Sequence, residues 1–461
     1  MVEKSSSGDI SRTTMLKYGI GGLGIAMFSG LFGYTYNYYF YNYSSPAYDM
    51  GMILGYTFLI FAIWNTINDP IFGFISDRTR SRWGRRRPYI IFFVPVLVMG
   101  LFMIFFPFGS GFNYYFIWIL LALFVYDTGY TFVGLTYASL LPELTFDLDK
   151  RAKTNTLSVI FMGIGTILTY IIGFLFLRSV PILQLTAILF AIIGSAALLF
   201  TGFTVKEKRQ FMEVPALGAK DAVLKAFLNK SFLTFETFNF TYTLMYNIMQ
   251  IALIQYAISV LEVSDFEGVI LLAVFFLVSF LGFPLMIYLN RKLGTKTTVL
   301  LFTCVFACTI TFTFFVSNFI AVLIIVAILG ISYSAPALLN NLLIADIVDE
   351  DEVKTGRRRE GMYFGGNALI TKPAISVAAF IVGIFNTYFL FNPSFDVHSP
   401  KYIHADTALL GIRIVMGIVP ALFLAIGLLF FLLYPLNKKR VEKLKKELEE
   451  LHSKQQKNRI S

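Results

Sequence analysis

The segment WNTINDPIFGFISDRTRSRWGRRRP, residues 64–88, passes from an apolar run into a dense group of arginines. Its first part places Asn65 and Asp69 one helical turn apart, and its second part carries six arginines within ten residues. A carboxylate within a membrane helix is costly unless it faces a cavity, pairs with a cation or binds a proton. Arginines and lysines accumulate in the cytoplasmic loops of membrane proteins. The segment therefore predicts a membrane helix with a functional acidic side chain, followed by a cytoplasmic loop.

The composition of the whole chain also indicates a membrane protein. Hydrophobic residues make up 57% of the 461 residues, charged residues make up 14%, and the mean hydropathy is +0.70. A soluble domain of this length could not bury so much apolar surface, whereas a membrane helix needs about 20 mostly apolar residues. The predicted fold is all-α, with twelve transmembrane helices. The spans lie near residues 16–41, 50–75, 89–109, 113–142, 153–177, 182–204, 231–260, 267–289, 297–316, 318–345, 361–389 and 406–435.

The positions of the lysines and arginines predict the orientation. All but four of these 38 residues fall at the N-terminus, in alternate connections between spans, or in the C-terminal tail. Because positively charged loops stay in the cytoplasm, we expect a multi-pass protein of the cell membrane with both termini cytoplasmic. The net charge of +10 is thus a topology signal, with attraction to anionic headgroups of the lipid bilayer, and no nucleic-acid partner is expected.

The span pattern divides the chain into two similar halves. The predicted parts are an N-terminal six-helix half (1–204), a central cytoplasmic loop (205–230), a C-terminal six-helix half (231–435) and a charged cytoplasmic tail (436–461). The connection after the second span resembles the one after the eighth, and the connection after the fourth resembles the one after the tenth. Such halves are typical of transporters that rock around a small-molecule site in the middle of the membrane. We expect a monomer.

Four polar residues of the second and fourth spans are candidates for coupling a cation to transport. Asp69 is the strongest, because Pro70 after it loosens the helix and can free a backbone carbonyl. Asp127 and Thr131 lie one turn apart in the fourth span and can face the same cavity as Asp69 and Asn65. The alternative for both carboxylates is a structural role, as a local cap or a hydrogen bond to a neighbouring helix.

The seventh and eleventh spans carry the candidate substrate-binding residues. In the seventh span, amides and phenols recur every three or four residues and therefore share one helix face. They donate and accept hydrogen bonds without a full charge, and tyrosine rings can stack on sugar rings. In the eleventh span, Lys372 lies too deep to reach the interface, and we expect Asp69 or Asp127 as its partner. The candidates are Asn239, Tyr242, Tyr246, Gln250, Asn367 and Lys372, with interhelical bonding as the alternative role.

Charged residues at the inner ends of the spans predict a gate. A network of ion pairs can bias which side of a transporter is open, because its conformations differ little in free energy. The alternative is that these charges only fix the topology. The candidate gate residues are Asp77, Arg78, Arg85, Glu143, Asp346 and Arg358.

The chain carries no pattern typical of catalysis or of a bound cofactor. It lacks GxSxG, Walker, HExxH and glycine-rich dinucleotide motifs. Its two cysteines, Cys304 and Cys308, have neither the spacing of a metal site nor a disulfide framework. We therefore predict no enzyme activity, no catalytic residues, no cofactor and no definite metal site, with H⁺ or Na⁺ as the coupling ion.

Two stretches resemble the signatures of the glycoside–pentoside–hexuronide:cation symporters of the major facilitator superfamily. They are INDPIFGFISDRTRSRWGRRRP (67–88) and ADIVDEDEVKTGRRREGMYFG (345–365). The resemblance implies the major facilitator fold, alternating access and solute uptake coupled to sodium or a proton. Thr131 and Lys372 match the family pattern, whereas Asn65 and Gly134 stand where melibiose-permease-like members have aspartates. Fewer carboxylates favour a proton over sodium as the coupling ion.

Three functions remain open from the sequence. The first is cation symport, with a proton favoured, of a sugar, glycoside or similar small organic solute by alternating access. The second is transport of a lysolipid-like or other amphipathic solute on the same fold. The third is a non-transporting membrane sensor or partner-binding protein that uses the inner loops and the tail. The charged inner loops of both halves favour transport, because a sensor does not need both.

Overall fold

The computed structural model describes residues 10–41, 50–79, 81–145, 148–175, 179–207, 228–356, 359–391, 397–398 and 404–460. These ranges are helical, with no β-strand among them. The helices are α1 (Arg12–Tyr41), α2 (Met50–Arg78), α3 (Arg87–Phe105), α4 (Phe112–Leu140), α5 (Leu148–Leu175), α6 (Val180–Thr204), α7 (Lys230–Ser259), α8 (Asp265–Leu293), α9 (Thr295–Thr311), α10 (Phe319–Thr355), α11 (Glu360–Tyr388), α12 (Ala405–Leu432) and α13 (Lys438–Ile460).

Eleven helices of the described part are long and apolar enough to cross a membrane. The helix α7 has the length of a span, with 30 residues, but is less apolar because Glu236, Asn239, Asn247 and Gln250 interrupt its apolar sequence. With α7 included, the predicted all-α membrane fold is confirmed. A helix with so many buried polar groups needs hydrogen-bond partners on its neighbours, which makes α7 a place to look for a site.

Side-chain caps mark where several helices begin. Asn229, Ser264 and Asn318 accept hydrogen bonds from the first backbone N–H groups of α7, α8 and α10, which have no partners within their own helices. At the other end of α10, Gly356 adopts the left-handed conformation with φ 69° and stops the helix. These signals lie in the sequence beside the apolar runs and agree with the helix ends.

The helices form two compact units, one within Met1–Leu217 and one within Gly218–Ser461. In the first unit, α1 packs against α5 and α6, α3 packs against α4 and α6, and α2 packs against α4. Glycine permits the α3–α4 approach, since a Cβ atom on Gly129 of α4 would lie 2.5 Å from the backbone N of Leu97 in α3.

The second unit repeats this packing order. Here α7 packs against α11 and α12, α9 packs against α10 and α12, and α8 packs against α10. Each helix thus has the partners of its counterpart six helices earlier, so the similarity between the halves extends from the loops to the helix packing. The tail helix α13 packs against α10. Most of the predicted central loop, residues 208–227, lies outside the described ranges.

Aromatic side chains fill the space between α2 and α4 in the first unit. Trp64 of α2 packs against Phe72, with ring centroids 6.0 Å apart, and against Phe124 of α4, with centroids 5.5 Å apart. The other two tryptophans, Trp83 and Trp118, also belong to the first unit. The rings of Trp64, Phe72 and Phe124 border the part of α2 that carries the predicted acidic residue.

Candidate functional site

A buried polar cluster joins α2 to α4 in the first unit. Asn68 donates hydrogen bonds from Nδ2 to a carboxylate oxygen of Asp127 and, at 3.2 Å, to the hydroxyl of Thr131. Asn68 is fully buried, and Asp127 and Thr131 are only 8% and 4% exposed. Asp127 and Thr131 were predicted to share a face, and the structure brings them together on the same donor. The group that donates to both is a neutral amide.

The other two predicted residues of α2 lie one turn apart beside this cluster. Asn65 is buried, whereas Asp69 is half-buried. The hydroxyl of Tyr130 on α4 lies within range of a charge interaction with both Asp69 and Asp127, and it is near the side chain of Ser29 on α1. The two carboxylates and this phenol therefore belong to one polar region of the first unit.

A chain of side-chain amides joins α7, α10 and α11 in the second unit. Asn239 donates from Nδ2 to Oδ1 of Asn367 at 2.6 Å and accepts at Oδ1 from Nδ2 of Asn340 at 2.8 Å. The Asn367 amide lies 3.1 and 3.2 Å from the two carboxylate oxygens of Glu236, a residue with 1% exposure. We call these four residues the amide cluster. It unites the predicted Asn239 and Asn367 with Glu236 and Asn340, which were not predicted.

A stack of tyrosines continues the polar face of α7. Tyr246 stacks on Tyr333 of α10 with ring centroids 4.9 Å apart, and Tyr242 lies 6.3 Å from the same ring. Gln250 donates to the Tyr246 hydroxyl at 2.7 Å. The buried hydroxyl of Tyr242 has no hydrogen-bond partner among the residues that the structure describes. The predicted face is therefore a set of ring faces and phenols, which suits a hydroxylated ligand.

Lys372 lies on α11, five residues after Asn367, and is half-buried. The hydroxyl of Thr371 donates to the backbone carbonyl of Asn367 at 2.9 Å, which ties this stretch of α11 together. The pairing of Lys372 with Asp69 or Asp127 stays a prediction.

A buried carboxylate between two arginines holds one end of the first unit together. Glu143, three residues after the end of α4, accepts at Oε1 from Nη2 of Arg85 at 2.6 Å and from Nε of Arg86 at 3.1 Å. Arg86 also donates from Nη1 to Ser76 of α2 at 2.7 Å. All three charged side chains are at most 12% exposed. The predicted gate residues Arg85 and Glu143 therefore form an ion pair.

A second carboxylate, Glu207, caps the N-terminus of α3. It accepts from the backbone N–H groups of Arg85, Arg86 and Arg87 at 2.6, 2.8 and 2.8 Å. A negative side chain is favourable at this end of a helix, because the unpaired N–H groups and the helix dipole are positive there. The preceding Gly84 has φ 111°, and a Cβ atom on it would lie 2.6 Å from Oε1 of Glu207. Glycine is therefore required for this carboxylate to approach.

The corresponding end of the second unit has a different arrangement. Arg359 donates from Nε and Nη2 to the two carboxylate oxygens of Asp351 at 2.8 and 2.5 Å, and Lys354 pairs with Glu350 at 2.7 Å. Hydrogen bonding to Asp351 raises the pKa of the Arg359 guanidinium. This ion pair links the end of α10 to the residue that precedes α11.

The remaining predicted gate residues fall in several places. Arg78 is exposed at the end of α2, and Asp346 is half-buried on α10 within reach of a charge interaction with Lys445 of α13. Arg358 and the side chain of Asp77 lie outside the described residues.

Sequence reasoning missed several residues of these sites, and for one of them a signal was present. Glu236 lies within a span, one turn before Asn239, so the rule that singled out Asp69 applies to it equally. Asn68 stands next to Asp69, but adjacent helical residues face different directions. Asn340 and Tyr333 come from another helix, and nothing in the spacing of α7 indicates which residues meet it.

Comparison with known proteins covers nearly the whole chain. A family model described as MFS/sugar transport protein matches residues 17–438. An uncharacterized symporter of Synechocystis sp. is 24% identical, with 100% of both chains covered. A putative sulfoquinovose importer of Escherichia coli (strain K12) is 25% identical, with 95% of this chain and 94% of that protein covered.

Solved structures support the fold independently of these sequences. A single-residue variant of a nucleoside transporter matches with a TM-score of 0.64, covering 89% of this chain and 99% of its own. The two sequences are only 14% identical, so the likeness concerns the fold alone.

Proposed function

Because this chain belongs to the MFS sugar-transport family, it is a multi-pass membrane transporter and not an enzyme, and we propose that it moves a sugar or glycoside together with a proton. The predicted resemblance to cation symporters is confirmed by the family model and by the symporter relative. A symporter needs a coupling cation. The proton and the class of solute are the parts of the function that we propose.

The polar cluster of α2 and α4 supports a proton. Asp127 is buried against the neutral donor Asn68, while the half-buried Asp69 lies, like Asp127, within range of a charge interaction with Tyr130. Binding of a proton to Asp69 removes a charge that is costly within an apolar helix, so occupancy can change which helix arrangement is favoured. Asn65 contributes no charge at the position one turn before Asp69. The cluster therefore has less negative charge with which to attract sodium.

The solute is proposed to bind along the polar faces of α7 and α11. Tyr246 and Gln250 form a hydrogen bond with each other, and the buried hydroxyl of Tyr242 has no partner among the described residues and can bond a solute. Lys372 supplies a cationic donor on α11. The side-chain amides of Asn239 and Asn367 are hydrogen-bonded to each other, so we assign these residues a positioning role beside the solute.

The ion pairs at the helix ends are proposed as the cytoplasmic gate. Glu143 with Arg85 and Arg86 would hold the inner ends of α2, α3 and α4, and Asp351 with Arg359 would hold α10 to α11. Both termini are placed in the cytoplasm in this proposal, because the arginine-rich connections predict that side.

Two measurements, made one after the other, test the function. Purified protein is first screened for a rise in apparent Tm with a panel of sugars, glycosides and lysophosphatidylcholine, because a ligand that binds only the folded state stabilises it. Uptake of the best sugar into proteoliposomes is then measured under a pH gradient and under a sodium gradient. We expect accumulation with the pH gradient alone, and we expect Asp69→Asn to abolish accumulation while solute exchange persists.

The exposed Asp406 at the start of α12 provides a matched control, because Asp406→Asn makes the same chemical change outside the cluster. Accumulation driven by sodium and insensitive to pH would overturn the proton. Stabilisation by lysophosphatidylcholine and by no sugar or glycoside would overturn the solute class and leave the transporter assignment intact.

A further inference from the structure

Glu236 is a carboxyl group that the proposed function does not use. It lies six residues from the start of α7, about 9 Å along the axis at 1.5 Å per residue. Phe232, Phe235 and Phe238 beside it in the helix are each fully buried, and Glu236 itself is 1% exposed. Burying an acidic side chain this deeply is costly unless it is paired or hydrogen-bonded.

No cation balances this carboxyl among the residues that the structure describes. Several titratable side chains lie on the helices around α7, yet none of them forms an ion pair or another charge interaction with Glu236. Its contacts are instead with the neutral amide of Asn367. The titratable groups of the surrounding helices are Asp265, Glu267, Tyr288, Arg291 and Lys292 on α8, Tyr333, Asp346, residues 349–352 and Lys354 on α10, Glu360, Tyr363, Lys372 and Tyr388 on α11, and Asp406 and Arg413 on α12.

The direction of the hydrogen bonds in the amide cluster depends on whether Glu236 carries a proton. The Asn367 amide lies 2.6 Å from Nδ2 of Asn239 and 3.1 and 3.2 Å from the two Glu236 oxygens, and either its oxygen or its NH₂ group can face them. A protonated Glu236 requires the Asn367 oxygen there, because two acceptors can share a hydrogen bond only if one of them carries a proton. The chain of hydrogen bonds then runs from Asn340 through Asn239 to Asn367.

An ionised Glu236 requires the opposite direction. The Asn367 amide would turn its NH₂ group towards the carboxylate, and it could then no longer accept the hydrogen bond from Asn239. The amides of Asn239 and Asn340 would therefore have to turn as well. In the reversed chain, Asn340 Oδ1 accepts from Asn239, whereas in the direction that a protonated Glu236 requires this buried oxygen has no partner among the described residues. The charge on Glu236 is thus linked to hydrogen bonds on three helices.

We propose that Glu236 is a second proton-binding site of this transporter, and that its protonation sets the direction of the hydrogen bonds joining α7, α10 and α11. The inference rests on the proposed proton coupling and extends it from the first unit to the second. It assigns Asn239, Asn340 and Asn367 as positioning residues that respond to the proton on Glu236.

Infrared difference spectroscopy of the purified protein tests proton binding without any transport. We expect acidification to produce a band from the C=O stretch of a protonated buried carboxyl that Glu236→Gln removes and Asp69→Asn leaves in place. The glutamine is neutral and can donate to Asn367 Oδ1, so this variant should fold. Glu262→Gln, which changes a glutamate with a 64% exposed side chain, is the matched control and should leave the band unchanged.

Asn367→Leu gives an independent reading that does not depend on replacing Glu236. Loss of the acceptor should move the band to higher frequency, because a carboxyl group that donates no hydrogen bond has a stiffer C=O bond. An identical band in wild type and Glu236→Gln would overturn the inference. So would removal of the band by sodium at constant pH, since this would make Glu236 a sodium ligand.

The two proposals can fail separately. Uptake driven by a pH gradient without a Glu236 band overturns this inference alone. A Glu236 band without uptake driven by a pH gradient overturns the proposed coupling and leaves a proton-binding glutamate in the second unit.

Discussion

The two units have the same packing order but place their charges differently. In the first unit, the buried Asp127 of α4 accepts from Asn68 of α2, and Glu143, just after α4, accepts from two buried arginines. In the second, the buried Glu236 of α7 lies beside an amide, and the arginine that pairs with the buried Asp351 of α10 is 26% exposed. Packing order follows from apolar surfaces and small residues, which many sequences satisfy. The individual charges carry the chemistry, and these have diverged.

Glu143→Gln should produce the largest loss of stability among the changes that test this contrast. It removes the anion from two buried guanidinium groups, and breaking a buried pair on one side costs about 3–5 kcal/mol. The apparent Tm of the purified variant measures it. Glu447→Gln in α13, where the partners are more exposed, is the control and should cost about 0–1 kcal/mol. Equal effects of the two variants would contradict the buried network.

Asp351→Asn should destabilise the second unit by less. It weakens two charge-assisted hydrogen bonds to Arg359, worth about 1.5–3 kcal/mol before allowing for the exposure of the arginine. The same measurement of apparent Tm ranks it against Glu143→Gln. A larger effect for Asp351→Asn would reverse the contrast between the two ends.

Gly129→Ala tests the packing that the units share. The added Cβ atom would lie 2.5 Å from the Leu97 backbone, so α3 and α4 must separate, at about 1–3 kcal/mol. Gly134→Ala on the same helix meets no atom within 4 Å and should be neutral or stabilising, because alanine favours a helix. Similar apparent Tm values for the two variants would refute the close approach.

Glu207→Ala should have the smallest effect of the four, about 1 kcal/mol. It deprives three N–H groups at the start of α3 of their acceptor, and water can replace much of that interaction. We expect faster hydrogen exchange at these amides, with little change in the exchange of the second unit. Unchanged exchange at Arg85–Arg87 would show that the cap is not formed in solution.

The sequence predicted the fold well because membrane helices are specified locally. A run of apolar residues with a polar connection at each end identifies a span without knowledge of its neighbours. Even α7, with its interrupted apolar character, was identified as a span from its length and flanks. The repeat between the halves was visible in four loops and reappears as the packing order of the helices.

The sites were less accessible to sequence reasoning because they depend on which helices meet. Asn340 and Asn239 are 101 residues apart, and their hydrogen bond follows from the packing of α10 near α7. Asn68 donates to Asp127, whereas Asp69, only one position further along the helix, lies on a different face of α2. Glu236 is the exception, since its position within an apolar span already indicated a functional group.

The distribution of tryptophan gives the two units different optical properties. All three indoles of the chain, at Trp64, Trp83 and Trp118, belong to the first unit. Selective excitation of tryptophan therefore yields emission from that unit alone, with Trp64 five residues before Asp69 along α2. The unaltered protein thus contains its own fluorophores for following events in its first half, and a single tryptophan introduced into α7 would supply the missing signal from the second.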